Sequence, residues 1–179
     1  MTRPTLLLAS TSPQRRAILT QLRIPFDVAA PAFDEETVDN PLARAAGKAR
    51  SVDGAGRPVL GVDTEVVLDG RLWGKAAGPE EAETMLRSLS GRAHEVVSGL
   101  CLRTLDWEEL HTISTLVTFR RLADAAIAEY VASGEWEGRA GAYAIQGLGA
   151  GLVDRVDGDY LNVVGLPGSV LLDVLDRRF

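Results

Sequence analysis

Residues 6–19, LLLASTSPQRRAIL, pass from an apolar run straight into a helical pattern, and this junction decides the fold. Residues 5–9 (TLLLA) read as a buried strand. Ser12-Pro13 supplies an N-cap and a proline at the first helical position. Ile18, Leu19 and Leu22 then recur at helical spacing, to about Arg23. The helix mouth offers unpaired N–H groups and a partial positive charge, which together favour an anion. Ser10, Thr11 and Ser12 add hydroxyl groups there, and Arg15 and Arg16 add forked donors that match phosphate geometry. Two adjacent cations in a first helical turn oppose the helix dipole and each other, a conflict that a bound phosphate relieves. Successive helical residues point about 100° apart, so one arginine is expected to face the ligand and the other a structural carboxylate. The alternative is a pair of solvated surface arginines.

Beyond this unit, strand and helix patterns mix without strict alternation. A strand is expected at 26–29, then an acidic loop, AFDEETVDNP, then a small-residue helix at 41–51 that carries Lys48. RPVLGVDTEVVLDGRLWGK (57–75) reads as a strand, a polar interruption at Asp63-Thr64-Glu65, and a hairpin. Its Asp69-Gly70 suits a two-residue type I′ turn. GPEEAETMLRSLSG is a helix with Pro79 at its start and Gly91 after it. Strands follow at about 94–104 and 110–119, then a helix at 124–133 ended by Gly134. A Gly-rich loop leads to strands near 151–156 and 159–164, and GLPGSVLLDVLDRRF closes the chain as a helix. The expectation is one α/β domain, residues 1–179, with a mixed sheet and two lobes flanking a groove.

Composition narrows the class. The chain has 179 residues, 46% hydrophobic and 25% charged, which is the profile of a globular domain. A net charge of −6 and 6% aromatic content argue against nucleic-acid binding. MTRPT opens onto only a short apolar stretch, and no apolar run approaches the roughly 20 residues of a membrane span, so a cytoplasmic location is expected. Cys101 lies in an apolar run and reads as a core residue. Of 19 Lys and Arg residues only Lys48 and Lys75 are lysines, leaving 17 arginines. Where arginine is so favoured, a surviving lysine marks either chance or a position that needs a compact ammonium.

Several residues are candidates for chemistry. Asp63 sits at the end of an apolar run, where it reads as a Mg²⁺ ligand or general base, or as a turn-maker. Glu35 reads as a second metal ligand, but Asp34 and Glu36 flank it and spacing does not choose among them. Gln146, polar within an apolar Gly-rich stretch, reads as a reader of nucleobase edges or as a satisfied core amide. GRLWGKA lacks P-loop spacing, and GLGAGL is neither GxGxxG nor the opening of a helix. His94 and His111 read as strand residues; with one cysteine they make no zinc site.

Taken together, LASTSPQRRAIL, the GKA around Lys48, GVDTEVVLDGRLWGKA, LSGRAHEVVSGL, AGAYAIQG and GDYLNVVGLP resemble the Maf family of nucleoside triphosphate pyrophosphatases, over nearly the whole chain. The resemblance implies an α/β fold similar to inosine triphosphate pyrophosphatases, and a homodimer. It implies cleavage of a nucleoside triphosphate to monophosphate and pyrophosphate with Mg²⁺, Mn²⁺ or Co²⁺. It assigns Ser10, Arg15, Lys48 and Lys75 to the triphosphate, Asp63 to acid–base work and Glu35 to the metal alongside Asp63. Thr64 and Gln146 match the subfamily acting on dTTP and UTP, whereas the 7-methyl-GTP subfamily has Gln and Glu there. Gln14 departs from both, which carry arginine and tryptophan respectively at its position.

Overall fold

The computed structural model describes residues 3–179, apart from the side chain of Glu36; the first two residues of MTRPT lie outside it. Along the chain, β1 (Leu6–Ala9) leads to α1 (Pro13–Gln21) and β2 (Phe26–Ala29). A 3-10 turn at Glu35–Thr37 precedes α2 (Pro41–Arg50). Next come β3 (Val59–Leu68), β4 (Arg71–Trp73), α3 (Pro79–Leu89), β5 (Ala93–Arg103) and β6 (Glu108–Phe119). After α4 (Asp124–Ser133), a 3-10 helix at Gly147–Leu152 leads to β7 (Val153–Asp157), α5 (Tyr160–Val164) and α6 (Gly168–Arg178). Seven strands form one sheet in the order β2-β1-β3-β5-β6-β7, with β4 on β3. β1 runs parallel to β2 and β3, while β4 and β7 pair antiparallel, so the sheet is mixed as expected.

Local chemistry sets most element ends. The Ser12 hydroxyl accepts from the Arg15 N–H ahead of Pro13, and the Asn40 side chain accepts from Ala43 N–H at 2.8 Å ahead of Pro41. Asp69 and Gly70 take φ of 53° and 74°, the paired positive values of a type I′ hairpin turn. Gly134, at φ 75°, ends α4 in the left-handed conformation.

Three sequence expectations are corrected. β3 runs unbroken through Asp63-Thr64-Glu65, so Asp63 lies in mid-strand. The polar triplet is tolerated because Asp63 is ion-paired. The register of β1 on β3, Leu7 with Val59 and Leu8 with Leu60, nevertheless carries Asp63 past the last residue of β1. The expected strand near 151–156 starts at Val153, because GLGAGL is wound into the 3-10 helix. The Glu135 carboxylate accepts from the Leu148 and Gly149 N–H groups at 3.0 and 3.1 Å, so this Gly-rich turn is closed by the chain's own anion. The expected strand at 159–164 is the helix α5. Its first turn is capped by Asp159, whose Oδ1 accepts from Leu161 and Asn162 N–H. The buried Asn162 amide then donates to the Val96 carbonyl and the Thr115 hydroxyl, both at 3.0 Å.

The chain divides into two compact units. The first comprises Met1–Thr64, Ser98–Ile113 and Gly165–Phe179. Its core sets Leu7, Ala9, Val59 and Cys101 against Ala45, Ala46 and Ala49 of α2. Small residues let the helix come very close to the sheet. A Cβ at Gly61 would lie 2.1 Å from the Ala45 carbonyl oxygen, and one at Gly99 would lie 2.3 Å from that of Pro41. Cys101 is buried as expected, which pushes its thiol up to about 12.

The second unit, Glu65–Val97 and Ser114–Val164, has a larger core that includes Leu86 and Leu89 of α3, Ile127 of α4, Phe119 and Tyr143. His94 on β5 is buried there, bonded through Nε2 to the Tyr143 hydroxyl at 2.9 Å and set edge-on to the Phe119 and Tyr143 rings. Desolvation takes its imidazole from the ordinary 6.5 down to about 4.

Two predictions follow from this packing. Gly61→Ala is expected to cost about 1–3 kcal/mol by overpacking against the α2 backbone, read as a lower urea midpoint at unchanged slope. His94 binds a proton in the unfolded chain before it does so in the fold, so its contribution is whole above about pH 6.5 and drains away as the pH falls toward about 4. The loss at pH 5 relative to pH 7.5 is about 2 kcal/mol from this group. Denaturant titrations at the two pH values should show His94→Gln losing less stability than wild type by that amount; equal losses would remove the assignment.

Candidate active site

Within the first unit, three elements converge beyond the C-terminal end of β1. Ser10 leaves the strand and is buried. Its hydroxyl accepts from Ser12 N–H at 3.2 Å and from Arg15 Nη1 at 3.0 Å. Arg15 is turned inward and also donates Nε to the Gly165 carbonyl at 3.0 Å. Desolvation lowers the pKa of its guanidinium, opposed by the charges of Asp63 and Glu35. Arg16 is exposed and donates to the Thr11 carbonyl at 3.5 Å. The expectation of one inward arginine therefore holds, but Arg16 faces a backbone carbonyl and not a structural carboxylate. Gln14, in the same turn, accepts from the Ser12 hydroxyl at 3.1 Å.

Lys48 is the centre of the site. α2 carries Ala45, Ala46 and Ala49 beside it, and the close approach of the helix to β3 buries the ammonium. Nζ lies 2.6 Å from Asp63 Oδ1 and 2.9 Å from Glu35 Oε2. This contact brings Glu35, one of the three acids of the loop, to the ammonium that Asp63 also meets. Asp63 is 5% exposed, and its Oδ2 is buried without a hydrogen-bond partner. Arg44, one helical turn before Lys48, places Nη1 3.7 Å from that oxygen. Beside Asp63, the Thr64 hydroxyl meets the Ser98 hydroxyl at 2.8 Å and reaches the Gly165 carbonyl at 3.4 Å.

Ser10, Arg15, Glu35, Lys48, Asp63 and Thr64 are thus gathered in one unit. Lys75 and Gln146 belong to the other. Lys75 follows β4, is exposed, and pairs through its backbone with Ala140. Among the described residues its ammonium meets no carboxylate. Gln146 is exposed at the start of the 3-10 helix and its side chain caps nothing there, which removes the core-amide alternative. His94 and His111 are strand residues, as expected; His111 Nε2 lies 3.1 Å from Glu109. Arg44 and Ser98 were missed. The usable signal for Arg44 was its i, i+4 relation to Lys48. Ser98 offered none, since its partner depends on the pairing of distant strands.

The donors around Asp63 are oxygen atoms of two carboxylates. This is a set for a hard cation such as Mg²⁺ or Mn²⁺, which takes one or two carboxylates and completes its shell with phosphate oxygens and water. Among the described residues no group of three or more His, Cys, Asp or Glu side chains converges to hold a metal ion by itself. The Oδ2 of Asp63, ion-paired to Arg44 but without a hydrogen bond, is consistent with such a shared site.

A mixed α/β fold with cations and paired carboxylates beneath a helix mouth defines a protein built to handle a polyanion. The chain belongs to the Maf family: the model for Maf-like protein matches residues 5–178. Three similar proteins each carry the name dTTP/UTP pyrophosphatase. That of Symbiobacterium thermophilum is 47% identical over 170 residues, covering 90% of this chain and 88% of its own. That of Thermus thermophilus is 45% identical, covering 98% and 96%. That of Gloeobacter violaceus is 44% identical, covering 97% of each. Among the described residues no helix is long and apolar enough to cross a membrane.

Proposed function

We propose that this protein hydrolyses dTTP and UTP to the nucleoside monophosphate and pyrophosphate. The observation that carries the reading is Lys48, buried between Asp63 and Glu35 at 2.6 and 2.9 Å, next to the Ser10–Arg15 helix mouth. The shared name of the relatives supports the choice of reaction and substrate.

In this reading the Ser10 hydroxyl, Arg15 and Lys48 bind the triphosphate and stabilise charge building on the pyrophosphate leaving group. Lys75, whose ammonium is exposed, adds a further point charge. Asp63 accepts the proton of the attacking water through Oδ2, the oxygen that has no hydrogen bond in the fold. Glu35 and Asp63 would hold the divalent cation. When bound, that cation supplies Lewis acidity toward phosphate oxygens and water, which a weakly basic carboxylate needs at neutral pH. Base choice is assigned to Thr64 and to the exposed amide of Gln146, which offers a pyrimidine both a donor and an acceptor. Free nucleoside triphosphates occur in the cytoplasm, and the reading assigns the protein there.

The test is pyrophosphate release from dTTP, UTP, CTP, ATP, GTP and 7-methyl-GTP, with Mg²⁺ or Mn²⁺. Leaving a buried hydrogen-bonding group unpaired costs roughly 1–3 kcal/mol, so dTTP and UTP should exceed the purines by at least ~10-fold in kcat/KM. A panel led by 7-methyl-GTP would overturn the base assignment, and no release from any nucleotide would overturn the reaction. Asp63→Asn, folded and nearly isosteric, should lose at least ~10²-fold in kcat. Lys75→Arg keeps the charge but replaces a compact donor with a planar fork; kcat/KM should fall ~10-fold at an unchanged melting temperature. Wild-type kinetics in this variant would mean that the retained lysine carries no information.

A further inference from the structure

We infer that Arg44 is a positioning residue that clamps the Glu35 loop against Asp63, fixing the spacing of the two carboxylates. The inference rests on the reading of Glu35 and Asp63 given above. Arg44, Gly47 and Lys48 stand at i, i+3 and i+4 on α2, so they share one helical face. Arg44 uses that face in a forked manner. Its Nε donates to the carbonyls of Val38 at 2.8 Å and Glu35 at 3.1 Å, the residue after the 3-10 turn and the first residue in it. Its Nη1 lies 3.7 Å from Asp63 Oδ2. One planar group thus ties the backbone of the loop to the carboxylate on β3, and its side chain is only 19% exposed.

Gly47 completes the clamp. A Cβ there would sit 2.3 Å from the Phe33 ring, so the ring lies directly on the helix backbone. The loop is thus held at Phe33, two residues before Glu35, and at the Glu35 and Val38 carbonyls. Without these contacts the Glu35 carboxylate, whose side chain is half exposed, would be held only by its own side-chain contacts. A lysine at 44 supplies charge but not the fork, since one ammonium does not span a backbone carbonyl pair and a carboxylate on another strand.

The experiment compares Arg44→Met, Arg44→Lys and Gly47→Ala with wild type and with Asp63→Asn. The readouts are steady-state kinetics with dTTP and amide hydrogen exchange. For both Arg44 variants we expect kcat to fall at least ~10-fold with KM within ~3-fold, the pattern of a lost arrangement in the transition state. Exchange should rise in segment 33–38 and stay at wild-type levels in β1 and β3. Gly47→Ala should give the same pattern by dislodging Phe33, and it decides the matter if Arg44→Met does not fold. Wild-type kcat in Arg44→Met, full activity in Arg44→Lys, or exchange that rises throughout the first unit would each overturn the clamp. A wild-type protein inert toward every triphosphate, or an active Asp63→Asn, would bring down the reading of the site instead; exchange in 33–38 would still decide whether Arg44 holds the loop.

Discussion

The buried pair of Lys48 and Asp63 constrains this molecule more than any other contact. Removing two charges from water is costly, and a buried ion pair is often no more stable than an apolar pair of the same volume. Burial of both groups at a separation of 2.6 Å therefore calls for a reason other than stability. It also calls for a particular architecture. The ammonium reaches mid-strand on β3 only because α2 lies almost on the sheet backbone. That approach depends on Gly61 and Gly99 beneath the helix and on Ala45, Ala46 and Ala49 along it. The first unit has a thin core of small residues at this place for that reason. What it forgoes in apolar burial it returns as a carboxylate and an ammonium held at fixed distance.

The charges around Asp63 are unequally paired. Arg15, Arg44 and Lys48 face the two carboxylates Asp63 and Glu35, and Arg15 is partly desolvated although its hydrogen bonds run to neutral oxygens, Ser10 and Gly165. A guanidinium satisfied by neutral partners keeps its charge available to an incoming anion, whereas one locked to a carboxylate does not. Arg15 and Lys48 thus serve different ends. The first is positioned without being neutralised; the second stands between the two acids, and a cation held by those acids would offset their charge and leave the ammonium to the triphosphate. A triphosphate entering beside the α1 N-terminus would meet both, together with the positive end of the helix dipole.

Much of the fold was legible because its signals are local. Ser12-Pro13, Asp69-Gly70 and Gly134 each act through their own side chain or backbone angle, and each ends an element where the sequence says it should. The errors arose where a side chain from elsewhere, or a capping group, overrode the pattern. The 159–164 stretch has the composition of a strand, but Asp159 caps it into a helical turn and the buried Asn162 amide ties it to Val96 and Thr115. GLGAGL reads as an open loop until Glu135 is seen to bind its N–H groups. The site followed the same division. Ser10, Arg15, Lys48 and Asp63 could be nominated from motif and resemblance. The contact of Glu35 with Lys48 required the loop's position over α2, and so did Arg44.

The scarcity of lysine acquires a physical basis at position 48. In a chain with 17 arginines and two lysines, a site that tolerates arginine is filled by arginine almost everywhere. At Lys48 the ammonium stands between two carboxylate oxygens from different elements, 2.6 and 2.9 Å away, on a helix packed close enough to the sheet that a Cβ at Gly61 would lie 2.1 Å from the Ala45 carbonyl. A guanidinium is planar and broader, and its donors point along fixed directions in one plane, so it suits a bidentate partner better than two separate single-oxygen contacts. Arg44, one turn away, shows the converse: there a fork reaches two carbonyls and a carboxylate at once. The two cations on one face of α2 divide the work by shape, since their charge is the same.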